Sequence, residues 1–265
     1  MRRLAITSAL LVAYGSAVAD AQLSFEVASV RPSTRMQPAP LPSSPDRLVR
    51  GGFTLLELVQ YAFERTRFTV AAGPEWISTA RFDVTAKAER AVTLAEMRAM
   101  TRGLLEERFA LKTHIEIRDL DVFAMVLARR DGALGPQLKR SSLDCTPFVT
   151  GDRPRSESPV DERGRSLCLP FGFVAGGATM TFRGASPHQL AQWLQGVVRR
   201  PVIDRTGLSG TFDLDLKYTL DPAVQREDFP YLTMAVEEQL GLKLESRKEP
   251  MEVLVIDDAQ PPTPN

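Results

Sequence analysis

Leu104-Leu-Glu-Glu-Arg-Phe-Ala-Leu-Lys-Thr-His-Ile-Glu116 decides how the chain is read, because Val236-Glu-Glu-Gln-Leu-Gly-Leu-Lys-Leu-Glu-Ser-Arg247 states it again. In both, a helix ends, exits tightly and enters a strand that alternates apolar and charged residues. Working outward, the match continues. Arg81-Phe-Asp-Val-Thr-Ala-Lys87 and Thr211-Phe-Asp-Leu-Asp-Leu-Lys217 alternate face for face. Thr54-Leu-Leu-Glu57 spells a capping box, in which the hydroxyl accepts from the third helical N–H and the acid reaches back, and Ser186-Pro-His-Gln189 caps a helix with Pro187 where its missing N–H costs nothing. A further box, Thr93-Leu-Ala-Glu96, opens a helix carrying Leu94, Met97, Leu104 and Leu105. Val122–Ala128 and Glu252–Ile256 are apolar on both faces, as covered strands are. The matched positions hold an offset of ~130 residues, far longer than a solenoid period.

The spacing predicts an α+β fold of two related strand-helix-strand-strand-helix-strand-strand units, with helices on one sheet face. The first unit spans 22–130 and the second 178–258. Residues 131–177, rich in Gly, Pro, Ser and charge and holding both cysteines, read as a loop insertion, and 259–265 as a mobile tail. Whether the units share one sheet is open at this stage.

Residues 1–21 read as a secretory signal peptide: Met1-Arg-Arg3 is positive, Leu4–Val18 is mostly apolar, and Ala19-Asp-Ala21 is a small-x-small cleavage site. The expected mature protein is exported, periplasmic or extracellular, with no membrane span. In that compartment Cys145 and Cys168 are most simply a disulfide. Closing such a loop contributes roughly 3 kcal/mol. A redox pair and metal ligands are the alternatives, and neither finds a C-x-x-C spacing here. The chain has 33 basic and 33 acidic residues, and removing Arg2, Arg3 and Asp20 leaves the balance near zero. That gives no electrostatic footprint for nucleic acid.

Chemistry is sparse. The two histidines, His114 and His188, limit the options. His188 follows Ser186, but a hydroxyl used in capping is a poor nucleophile partner. A zinc site from His114, His188, Cys145 and Cys168 has suitable ligand types without any close ligand pair. Asp213 and Asp215 share a strand face, where paired carboxylates do acid–base work or simply meet solvent. No phosphate-binding glycine loop, G-x-S-x-G or H-E-x-x-H is present. No catalytic residue, metal or cofactor is therefore predicted. Trp76, after the Gly73-Pro74 break, is the possible binding anchor, with a core plug as the other reading. The expected function is a non-catalytic binding or protein-interaction module for an unknown protein or small ligand of the cell envelope. An envelope hydrolase with an unfamiliar site and a sensor domain for a separate membrane protein are the alternatives.

Taken together, Phe25-Glu-Val-Ala-Ser-Val-Arg-Pro32, Gly73-Pro-Glu-Trp76, Leu104-Leu-Glu-Glu-Arg-Phe109, Val202-Ile-Asp-Arg-Thr-Gly-Leu208 and Glu238-Gln-Leu-Gly-Leu-Lys243 resemble an uncharacterised exported bacterial family called "soil-associated". The resemblance covers nearly the whole mature chain. It implies export and a relation to a domain attached to Bla-regulator-type metallopeptidase sensors, and it carries over no catalytic residues. Each repeat alone is similar in element order to the short N-terminal domain of secretins and TonB-dependent receptors, a likeness of fold only.

Overall fold

A computed structural model describes residues 23–39, 44–150, 153, 157–162, 164, 166–168, 178–221, 223 and 229–262. The expected signal peptide and parts of the 131–177 stretch lie outside the described residues. The fold is mixed α+β. The first half runs β1 (Val27–Pro32), β2 (Arg47–Thr54), α1 (Leu55–Ala62), β3 (Val70–Ala72), β4 (Arg81–Lys87), α2 (Leu94–Phe109) and β5 (Lys112–Leu127). The second runs β6 (Leu138–Arg140), α3 (Thr146–Thr150), β7 (Ala178–Ala185), α4 (Pro187–Val198), β8 (Val202–Asp204), β9 (Phe212–Tyr218), α5 (Leu232–Leu240) and β10 (Leu242–Asp258).

Local chemistry starts the helices where the capping boxes stand. Thr54, Thr93 and Ser186 each accept the N–H of Glu57, Glu96 and Gln189, whose side chains return the bond. In the second box, the hydrogen bonds from Arg90 and then from the Thr93 backbone hold the Glu96 carboxyl down at about 2. The helices bury one side, with Leu55, Leu58 and Val59 on α1 and Leu190, Ala191 and Leu194 on α4.

Three sheets result, β1-β4-β2, β6-β9-β7 and a central β3-β10-β5-β8. The first two are antiparallel and share a device. β2 bulges between Arg50 and Phe53, and β7 between Phe182 and Ala185. Gly52 (φ 69) and Gly184 (φ 60) occupy the bulges in the left-handed region that glycine enters freely. Their freed N–H groups donate to Asp83 at 2.8 Å and Asp213 at 2.9 Å on the neighbouring strand.

The central sheet joins the halves. β5 and β10 pair antiparallel from Leu242–Leu127 to Asp258–Lys112, with one register shift near the end. β3 of the first half then lies parallel to β10 of the second, and β8 of the second lies parallel to β5 of the first. The hydrophobic cores follow this exchange. Leu254 and Ile256 of β10 complete the core of Leu58, Phe82 and Phe109, and Met125 of β5 completes that of Leu194, Phe212 and Leu240.

Two expectations change. The strand pairs foreseen at 111–117 with 122–128, and at 242–245 with 252–256, are each one continuous strand. The polar middle of β5, Arg118–Asp121, contains neither Gly nor Pro, and its charged residues are exposed. Pro250 is tolerated opposite it in β10. Leu254 donates its N–H to Thr69 on the β3 side, so residues of that parity turn their nitrogens away from β5. The second change concerns 131–177, which carries β6 and α3 rather than loop alone. β6 pairs β9 as β1 pairs β4, so the second half begins with Leu138 and the cysteine-bearing segment falls between β6 and β7.

Candidate functional site

An open groove of about 760 Å³ lies where the halves meet. That size falls within the range of small-molecule sites. Its parts come from both halves: Phe68 from the turn before β3, Leu120, Asp121 and Phe123 from β5, the Arg199–Pro201 corner from the end of α4, and Ser246 from β10.

The corner is built from the end of α4. Arg199 takes the left-handed conformation at φ 52 and turns the chain out of the helix. Pro201 cannot continue a helix, and its carbonyl accepts the Phe123 N–H at 2.8 Å, which fixes the corner against β5. Arg200 is thereby laid over the Phe123 ring, its guanidinium carbon 4.4 Å from the centroid. Its Nη2 donates to Ser246 Oγ at 2.8 Å, while its Nε is buried without an acceptor. Stacking on an aromatic face and one hydroxyl contact hold the cation without neutralising it. Arg199 is exposed and has no carboxylate partner among the described residues.

The side chains singled out from the sequence stand elsewhere. Asp213 is occupied by the Gly184 N–H, and Asp215 accepts from both Nη2 contacts of Arg183 at 3.1 Å and from Thr181 at 2.7 Å. Ser186 accepts the Gln189 N–H at 3.3 Å, and exposed His188 meets Gln192 at 3.1 Å. His114 is held between Asp257 at 2.8 Å and Glu116 at 2.9 Å, with Arg118 behind Glu116 at 2.7 Å. The hydrogen bond to Asp257, then that to Glu116, raises the imidazole above its ordinary value. Among the described residues, no hydrogen bond or ion pair joins either histidine to a hydroxyl, to Asp213 or to Asp215.

Cys145 and Cys168 are bonded, their Cα atoms 5.2 Å apart, so both sulfurs are withdrawn from any ligand set. Among the described residues no group of three or more His, Cys, Asp or Glu side chains is arranged for a metal ion. Trp76 is half-buried, stacked on Phe109 at 6.4 Å and edge-on to Phe82 at 6.3 Å, so much of its surface serves the first core. The groove residues escaped the sequence reading because their convergence needs β8 to pair with a strand from the other half. The one local signal was an arginine doublet set between a helix end and a proline.

No curated protein and no solved structure matches the chain. Residues 56–259, which include the groove and both long strands, match a family profile, and the chain belongs to the family described as protein of unknown function, DUF3738.

Proposed function

We propose that the chain is an exported binding module that acts without catalysis, and that the groove between its halves is the binding surface. The carrying observation is the preset cation: Arg200 lies over Phe123 and is tethered to Ser246, beside Arg199, which has no carboxylate partner among the described residues. Arg and aromatic side chains set together in a concave surface are the composition of a recognition site. The reading is supported further by the structural occupations of Ser186, Asp213 and Asp215, each already serving a cap, a bulge or an ion pair. Export is supported by the signal-like N-terminus and by the disulfide. The resemblance to the "soil-associated" family points the same way. Through the domain attached to Bla-regulator-type sensors, it allows the bound partner to be a separate membrane protein.

The test pairs a fragment screen followed by two-dimensional amide NMR with a broad hydrolase panel. Fragments are expected to shift the amides of Phe123, Arg200 and Ser246, and the panel is expected to show no turnover. Turnover abolished by changing His188, Asp213 or Asp215 would replace this reading with an envelope hydrolase.

A further inference from the structure

We infer that the groove takes a small amphipathic monocarboxylate, an aryl- or acyl-chain acid. The inference rests on the binding-module reading and specifies its ligand. Three features point to this class. The first is the apolar part of the lining: Leu120, with Phe68 and Phe123, whose rings carry Arg67 and Arg200 over them, offers contact that a hydrocarbon or ring can use and an inorganic anion cannot. The second is the state of Arg200. A guanidinium carries five N–H donors, yet only the Nη2 bond to Ser246 is made within the described residues. Its contacts with Phe123 and Ser246 already place the guanidinium at the groove, which reduces the side-chain freedom lost when a carboxylate docks. Arg199 supplies a second guanidinium at the same corner, without a carboxylate partner among the described residues. Third, Asp121 lines the same groove. Each further negative charge on the ligand adds repulsion from that carboxylate, which favours one acidic group over two. The volume, about 760 Å³, is large enough for a small molecule of this class.

The experiment titrates the mature chain with 6-phenylhexanoate, 6-phenylhexan-1-amine and the peptide Ac-Phe-Glu-Phe-Glu-amide, followed by amide NMR. The phenylhexanoate is expected to give saturable shifts at Phe123, Arg200 and Ser246, with the amine at least about tenfold weaker because its charge opposes the arginines. Arg200→Gln is expected to weaken the acid by about tenfold, the scale of one charge-assisted hydrogen bond, with the far-UV spectrum unchanged. Should that variant fold poorly, exposed Arg199→Gln provides the same test, with a severalfold loss expected. Equal binding of acid and amine, shifts confined to another surface, or no saturable binding of the acid would overturn the proposal. Tighter binding of the peptide than of the acid, still dependent on Arg200, also overturns it while leaving the binding-module reading standing. Turnover in the hydrolase panel removes that broader reading instead.

Discussion

Ala110 leaves α2 at φ 47, the same left-handed exit that Gly241 makes from α5 at φ 70. An alanine there carries a steric cost that glycine avoids. Ala110→Gly is therefore expected to stabilise the protein by roughly 0.5–1 kcal/mol, measured by urea denaturation. The converse holds at the bulge of β7. A Cβ on Gly184 would stand 2.6 Å from the Leu143 carbonyl oxygen, and the residue is at φ 60. Gly184→Ala is expected to cost about 1–3 kcal/mol, with a matching drop in the urea midpoint. His114 gives a pH dependence. Its folded pKa is raised, chiefly by Asp257, so its protonated clamp stabilises fully below the unfolded imidazole pKa, and that contribution is lost as pH rises through the folded value. NMR titration of His114 should thus give a midpoint above that of a free imidazole, and Asp257→Asn should bring it down. A midpoint unmoved by that change would rule out the carboxylate as the cause. The αL exits were legible as a repeated tight turn. The use of Asp213 by a bulge N–H was not, since a bulge is a register event between two strands.

At the scale of elements, the capped helices were the most legible parts, because a capping box is satisfied within four residues. Ser186→Ala removes one such cap and should cost about 1 kcal/mol in the same denaturation measurement. Short edge strands were less legible. β6 has three residues and is held by β9 through Leu138–Leu214 and its neighbours, a partner far away in the chain. Between β6 and β7, Cys145 and Cys168 tie the connection beside the bulge, where the Cys145 N–H donates to the Gly184 carbonyl at 3.1 Å. Reducing this bond, whose cysteines are 23 residues apart, should lower stability by roughly 3 kcal/mol and speed proteolysis within 141–177. A thermal melt unchanged by reductant would mean that the connection contributes nothing to the folded state.

Across the molecule, the exchange of strands joins the two halves through one central sheet and through cores that each borrow from the other half. Residues 22–130 alone lack Leu254 and Ile256, and their β5 has no partner. That fragment is expected not to yield a monomer with a cooperative melt, and mixing it with 131–265 should restore helical signal and a 1:1 complex on size exclusion. A folded, monomeric first fragment would contradict the interdigitated core. The α+β class, the order of most elements and the helix starts are written in local periodicity and in capping contacts a few residues apart, so the residues alone were enough for them. They also paired the cysteines, given an oxidising compartment. The continuity of the long strands, the single sheet that the halves share by trading β3 and β8, and the seat of Arg200 over Phe123 emerge only from long-range pairing. Those outcomes depend on strand pairing between residues more than 50 positions apart, and register at that distance is chosen by which apolar faces can be buried together.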